Sequence, residues 1–417
     1  MNFRKVLLAS LPVMALFATS CSNDDDNGQQ FEYTVPETYT FQNTDVNGVY
    51  SSVNFDGQTN RLLMLQEMGN YIRDNAAAGT AVDDAKLSDM FTNTNTPFTN
   101  TDLNNAADKQ LKNKTAGSRD FFVNLKGGGS IAEQTTVRGF FEAQFDDAKA
   151  ASQGATAEAN QAGVYLDGAT KRLYAANGLE PQQVFLKGMM GACLMDQVVN
   201  NYLSVDVLDE GNNRRDNDDK VFITYVDKDN ITYKYTKMEH LWDEAYGYIY
   251  GAGGGKYWDS YINQVNADAD FNTVKADINA AFRKGRAAIT AGDYKTRNEQ
   301  IAIIKEKLAI VPAVRAVFYL KDGKAKLTAG DNGIKAFHAL SEGYGFIMSL
   351  RYTNKPGTNN PYMSKTEVDA VLAKLMAGTA PGKPGLWDID YLNANIDALA
   401  EQIATKFGFT VAQAQSL

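Results

Sequence analysis

Only two histidines occur among the 417 residues, His240 and His338, and both sit in one local pattern. The first copy runs His240-Leu241-Trp242-Asp243-Glu244-Ala245-Tyr246-Gly247-Tyr248-Ile249. The second runs His338-Ala339-Leu340-Ser341-Glu342-Gly343-Tyr344-Gly345-Phe346-Ile347. Residues four apart on a helix share a face, with Cβ atoms about 6 Å apart. His240 with Glu244, and His338 with Glu342, therefore each present an imidazole and a carboxylate together. If an internal two-fold axis joins the copies, these four residues offer a site for a divalent transition metal, iron or zinc, with Asp243 as an alternative ligand. Trp242, Tyr246 and Tyr344 are then expected to line the ligand pocket. Two other chemistries fit the same residues. A His beside a carboxylate serves as a general base. Alternatively each Glu orients its His as a brace between helices, and the motif aromatics are core.

The elements that must hold these residues read as helices for most of the chain. Leu62, Leu65 and Ile72 mark one stripe, and Val137, Phe140, Phe141 and Phe145 another. Pro181 to Leu203 carries Phe185, Met189, Ala192 and Val199 on one face, with Pro181 suited to a first turn. Gly188 and Gly191 within it admit a close neighbour. Further helices run through Val274 to Ile289 and Glu299 to Leu320, where Pro312 is expected to kink or end the hydrogen bonding. Ser364 with Glu367 forms a capping box, and Ile389 to Phe407 is a clean stripe stopped by Gly408. Extended structure is expected near the start, where Phe31, Tyr33 and Val35, then Val49, Ser51 and Val53, alternate around an Asn47-Gly48 turn. A second hairpin is expected from Val221 to Tyr235. The order long helix, irregular segment, His motif, loop, helix occurs twice, which predicts an internal duplication.

The beginning of the chain bears on location. Arg4 and Lys5 precede an apolar run from Val6 to Ala18 and the small residues before Cys21. This is the layout of a lipoprotein leader, and the run is shorter than the roughly 20 residues of a membrane-spanning helix. Residues 1–20 are read as the leader, Cys21 as the lipidation site, and 21–30, with Asp24, Asp25 and Asp26, as an acidic tether. Residues 31–255 are read as the N-terminal hairpin with a first helical repeat, and 256–417 as a second repeat, the two forming one compact unit. Losing Arg4 and Lys5 with the leader takes the formal charge from −9 to −11. Such an acidic chain argues against nucleic acid as a partner. The expected partners are the membrane, through lipid at Cys21, and an outer-membrane transporter. With Cys21 lipidated, Cys193 is the only other cysteine and is read as a buried small hydrophobe.

Several segments carry a family resemblance. Val35-Pro36-Glu37-Thr38-Tyr39 with Phe41, Gly57-Gln58-Thr59 with Arg61-Leu62, Lys187 to Ala192, and Trp242 to Tyr248 look like the lipoprotein family catalogued as domain of unknown function 4856. Two helical repeats in a lipid-anchored protein, with a His and an acid on one helix, also resemble the imelysin-like proteins. That resemblance implies a mainly α fold of two pseudo-symmetric bundles with a small N-terminal β element. It also implies a part in iron or haem uptake, with imelysin-type peptidase activity as the alternative, while the acidic run after Cys21 resembles the surface-export signal of Bacteroidota lipoproteins and implies an outer-membrane, surface-exposed position. The imelysin signature is Gly-x-His-x-x-Glu. Here Met238 stands at the Gly and Asp243 at the Glu, with Glu244 one step later. No Gly-x-Ser-x-Gly or His-Glu-x-x-His occurs. A structural or partner-binding lipoprotein is the third reading.

Overall fold

Short strands near the start and long apolar stripes afterwards give a mainly α-helical molecule, described by a computed structural model for residues 31–106, 108–123 and 130–415. The expected leader, Cys21 and the acidic tether lie outside these residues. Tyr33–Leu417 is one compact unit, and the expected division at residue 255 falls inside it.

The hairpin signalled by Asn47-Gly48 forms. Strand β1 (Gln42–Asp45) pairs antiparallel with β2 (Gly48–Ser51), Asp45 standing opposite Gly48. The ladder is shorter than the alternation predicts, because residues 31–41 carry no strand. That stretch instead crosses helices, its Tyr33 hydroxyl donating to Asp293 at 3.0 Å and its Pro36 carbonyl accepting from Arg283. A two-residue turn, Gly168 with Ala169, closes a hairpin of β3 (Gly163–Asp167) and β4 (Thr170–Tyr174), an element additional to those expected. The second expected hairpin is β5 (Ile223–Val226) and β6 (Thr232–Tyr235). Strand β6 runs parallel to β2 through Ser51 and Tyr233, so the first and last hairpins share one sheet, β1-β2-β6-β5.

The helices follow from the stripes. Helix α1 (Asp56–Ala78) buries Leu62, Leu65, Met68 and Ile72 and ends on left-handed Gly79. Helix α2 (Ile131–Ala151) is capped by Ser130. Helix α3 (Pro181–Met189) passes into wider π-type turns over Met190–Met195 and Val198–Tyr202, so the stripe expected to Leu203 is not regular α throughout. Its close approaches are those expected: a Cβ on Gly188 would meet Phe141 and Met348, and one on Gly191 would overlap Ser349. Helix α4 (Lys237–Tyr250) starts with a Thr236–Glu239 capping box. Helix α5 (Val274–Ala291) precedes α6 (Tyr294–Thr328), which does not end at Pro312 but continues through it as 35 residues. Here tertiary burial overrides the local break: Val311, Ala313, Val314, Ala316 and Val317 are all sealed in the core, and burying one such valine contributes about 1.5–3 kcal/mol against a proline penalty of about 3. Helix α7 (Ala336–Ser349) carries the second motif and packs on α3 and α6. Helices α8 (Lys365–Leu375) and α9 (Ile389–Phe407) have the expected capping box and glycine stop. Among the described residues no helix is long and apolar enough to cross a membrane.

Candidate functional site

Both motifs are helical, and each histidine sits one turn before its glutamate. His240 Nε2 lies 4.0 Å from Glu244, and His338 Nε2 lies 3.6 Å from Glu342. The glycine three residues after each glutamate lets another helix cross. A Cβ on Gly247 would overlap Phe55 and crowd Gln58 at the start of α1, and one on Gly345 would overlap Lys187 on α3. The crossing residue then supplies the glutamate's partner. Gln58 donates to Glu244 Oε1 at 2.9 Å, and the Lys187 ammonium lies 3.2 Å from Glu342 Oε1. A tyrosine from the preceding long helical segment completes each cluster: the Tyr202 hydroxyl donates to Glu244 at 3.3 Å, and Tyr319 lies beside Glu342 and helps to hold its carboxyl down. His, Glu, Tyr and a crossing polar side chain thus recur together.

The two clusters then diverge. His240 stacks on Tyr235, ring centroids 4.4 Å apart, and burial lowers its pKa while Glu244 partly offsets the effect. It borders a cleft of about 780 Å³ that also takes in Gln58, Arg61, Lys114 and the β5–β6 turn. His338 is clamped differently. Its Nδ1 lies 2.6 Å from Glu180 Oε2 and 2.9 Å from Arg172 Nη1. An arginine N–H only donates and a carboxylate only accepts, so Nδ1 donates to the buried Glu180 carboxylate when protonated and accepts from Arg172 when it is not. That leaves Nε2 on the side of Glu342. Arg172 is itself held by Asp167 at 3.2 Å and by Glu180 at 3.7 Å. Burial alone would raise Glu342, but Lys187 and His338 outweigh it and hold its carboxyl below the usual range. Burial likewise would lower Lys187, and Glu342 instead holds it above the ordinary lysine value. The ion pair is therefore charged on both sides. It faces a cavity of about 350 Å³ bounded by α1, β4, α3 and α7.

The histidines do not converge. Gln58 serves the first cluster and Gly69 borders the second cavity, eleven residues along α1, which is roughly 16 Å at 1.5 Å per residue. His240, Glu244, His338 and Glu342 therefore do not form one ligand set. Among the described residues no three of His, Cys, Asp or Glu are grouped to hold a metal ion. Asp243 turns to a separate buried network, accepting from the Tyr39 hydroxyl at 2.6 Å and Arg286 Nε at 3.0 Å. Burial pushes its carboxyl up to about 7 against the pull of Arg286. Glu239 meets the same guanidinium at 2.9 Å, and Asn43 and Ser52 tie the first hairpin to it.

The expected pocket aromatics lie elsewhere. Trp242 is fully buried, its indole N–H donating to the Phe282 carbonyl at 3.0 Å. Tyr246 stacks face to face on Tyr39 at 3.6 Å. Tyr344 packs beside Phe140 in a shallow groove away from His338. Helical geometry explains this: at about 100° per residue, Trp242 is some 200° round the helix from His240, and Tyr246 and Tyr344 are some 240° from their histidines. Glu180, Arg172 and Lys187 complete the second cluster without any motif. The Asp167-Gly168-Ala169-Thr170 stretch, with its turn at Gly168-Ala169 and flanked by Val164, Tyr165, Leu173 and Tyr174, is the sequence signal for the hairpin that delivers Arg172. Cys193 is enclosed, and burial pushes its thiol up to about 12, which leaves it no nucleophile near neutral pH.

No curated protein and no solved structure matches this chain. A family model does match, over residues 36–410, nearly the whole of the described molecule. Of the segments singled out, Val35–Tyr39 enters that span from Pro36 onward, and Gly57–Thr59 with Arg61-Leu62, Lys187–Ala192 and Trp242–Tyr248 fall inside it. The chain belongs to the family described as domain of unknown function DUF4856.

Proposed function

We propose that this protein is a lipid-anchored envelope protein that binds a small polar ligand in the His338 cavity. The observation that carries the reading is the arrangement of His338, held through Nδ1 by Glu180 and presenting Nε2 beside a charged Glu342–Lys187 pair on a cavity of about 350 Å³. Ligand pockets begin near this size, with a few fixed polar groups setting orientation. The neighbouring cations Lys187 and Arg172 disfavour a divalent metal ion there by direct repulsion. The anchor rests on the leader layout and Cys21. We also read the two halves as products of duplication, a view supported by the recurring His, Glu, Tyr and crossing-residue clusters.

The test is thermal unfolding of the soluble chain starting after Cys21 against amino acids, organic acids, sugars, polyamines and zinc or ferrous ions, beside His338→Ala. At least one organic compound should raise the melting temperature of the parent and leave the folded variant unmoved. Stabilisation by metal alone, or equal stabilisation of both proteins, refutes the reading.

A further inference from the structure

We infer that the ligand of the His338 cavity carries an oxyanion, a carboxylate or phosphate group, which Arg73 and Lys171 recognise at the mouth. This rests on the ligand-binding reading above and specifies its chemistry. The whole chain is acidic, with 41 basic and 50 acidic residues. The cavity reverses that balance. Arg73, Lys171, Arg172 and Lys187 border it, against Glu180 and Glu342.

The inner charges are already matched. Glu342 holds Lys187 at 3.2 Å, and Asp167 with Glu180 holds Arg172. The surplus is therefore at the rim. Among the described residues Arg73 on α1 pairs only with its exposed sequence neighbour Asp74, with side chains 58% and 64% accessible, so solvent screens most of that attraction. Lys171 on β4 has no carboxylate partner among the described residues. Two cations on facing elements over a concave site focus a positive potential, and on an acidic surface that potential selects for anions at this one place. Guanidinium and ammonium groups give charge-assisted hydrogen bonds to oxyanions.

The lining also holds neutral amides, Gln66, Asn70 and Gln182, together with His338. These groups both donate and accept. They suit the hydroxyl, amine or amide remainder of a small metabolite. The inner carboxylates Glu180 and Glu342 would repel an anion that went deeper. The oxyanion is thereby kept at the mouth and the polar tail goes inwards.

The experiment is isothermal titration of the soluble chain with succinate, citrate, glutamate and inorganic phosphate, with glucose and putrescine as neutral and cationic probes. The parent is compared with Arg73→Glu/Lys171→Glu and with His338→Ala. Both rim residues reach solvent, so the double reversal should fold normally, as circular dichroism and melting check. At least one anion should bind the parent. Its affinity should fall at least tenfold in the double reversal and again on raising salt from 50 to 500 mM. Comparison of the carboxylates with phosphate decides between the two oxyanions. If glucose or putrescine binds in a His338-dependent manner that the rim reversal leaves unchanged, the oxyanion inference is wrong and the cavity remains a binding site. If no probe binds the parent, both the inference and the binding reading fall.

Discussion

Replacing Arg286 by methionine isolates the buried charge network beneath the first motif. Arg286 is inaccessible to solvent and contacts Glu239 at 2.9 Å and Asp243 at 3.0 Å, with Ser52 and Thr290 completing its hydrogen bonds. Methionine fills much of the volume and leaves two enclosed carboxylates without their cation. Breaking such a pair typically costs about 3–5 kcal/mol. Protonation sets a ceiling, because neutralising a carboxylate with an ordinary pKa near 4 at pH 7 costs about 4 kcal/mol. Unfolding entropy of about 2.1 cal/mol/K per residue scales to about 0.8 kcal/mol/K for a unit of this size. The expected fall in melting temperature at pH 7.5 is therefore about 5 °C. The pH dependence has a definite sign. Without Arg286 the folded carboxylates bind protons more tightly than the unfolded ones, so the variant regains stability as pH falls from 7.5 towards 5. Urea and thermal unfolding at both pH values measure this, and Glu239→Gln/Asp243→Asn added to Arg286→Met should recover at least half the loss. A single variant within about 1 kcal/mol of the parent, or a deficit equal at both pH values, would refute the reasoning.

Two further outcomes are expected. Gly247→Ala and Gly345→Ala should each cost about 1–3 kcal/mol in urea unfolding, since the added Cβ meets a crossing helix, whereas Gly139→Ala on α2, where nothing lies within 4 Å, should be neutral or stabilising by up to about 1 kcal/mol. Equal losses at all three positions would remove the helix-crossing explanation. Asp196 is fully enclosed, and burial pushes its carboxyl up to about 7 despite hydrogen bonds from Ser118. Its folded pKa exceeds its unfolded one, so its contribution is complete below pH 4 and disappears as pH rises through 7. Parent stability relative to Asp196→Asn should therefore fall by on the order of 2 kcal/mol between pH 5 and pH 8, and a pH-independent difference would contradict this.

Local signals in this chain were reliable where the physics is local. The stripe from Ile389 to Phe407 and its Gly408 stop, the Ser364–Glu367 capping box and the Asn47-Gly48 turn depend on residues within a few positions, and all appear in the fold. The pairing of each histidine with the glutamate one turn later is legible for the same reason. Pro312 and the π-type turns after Met189 depart from expectation because the surrounding core, and not the local backbone, determines their hydrogen bonding.

What the sequence alone determined was the mainly helical class, the repeated His–Glu motif and the close helix approach at Gly188 and Gly191. Tertiary structure decided what each motif faces. Glu180 and Arg172 reach His338 from 158 and 166 residues away, and Gln58 reaches Glu244 from 186. Periodicity shows which residues share a face of one helix, but it carries no information about which distant helix or hairpin covers that face. Two similar motifs thus place His240 against Tyr235 beside one cleft and His338 in a charged cluster on another cavity. The difference lies in the partners that the packing of α1, α3 and the β3–β4 hairpin brought to them.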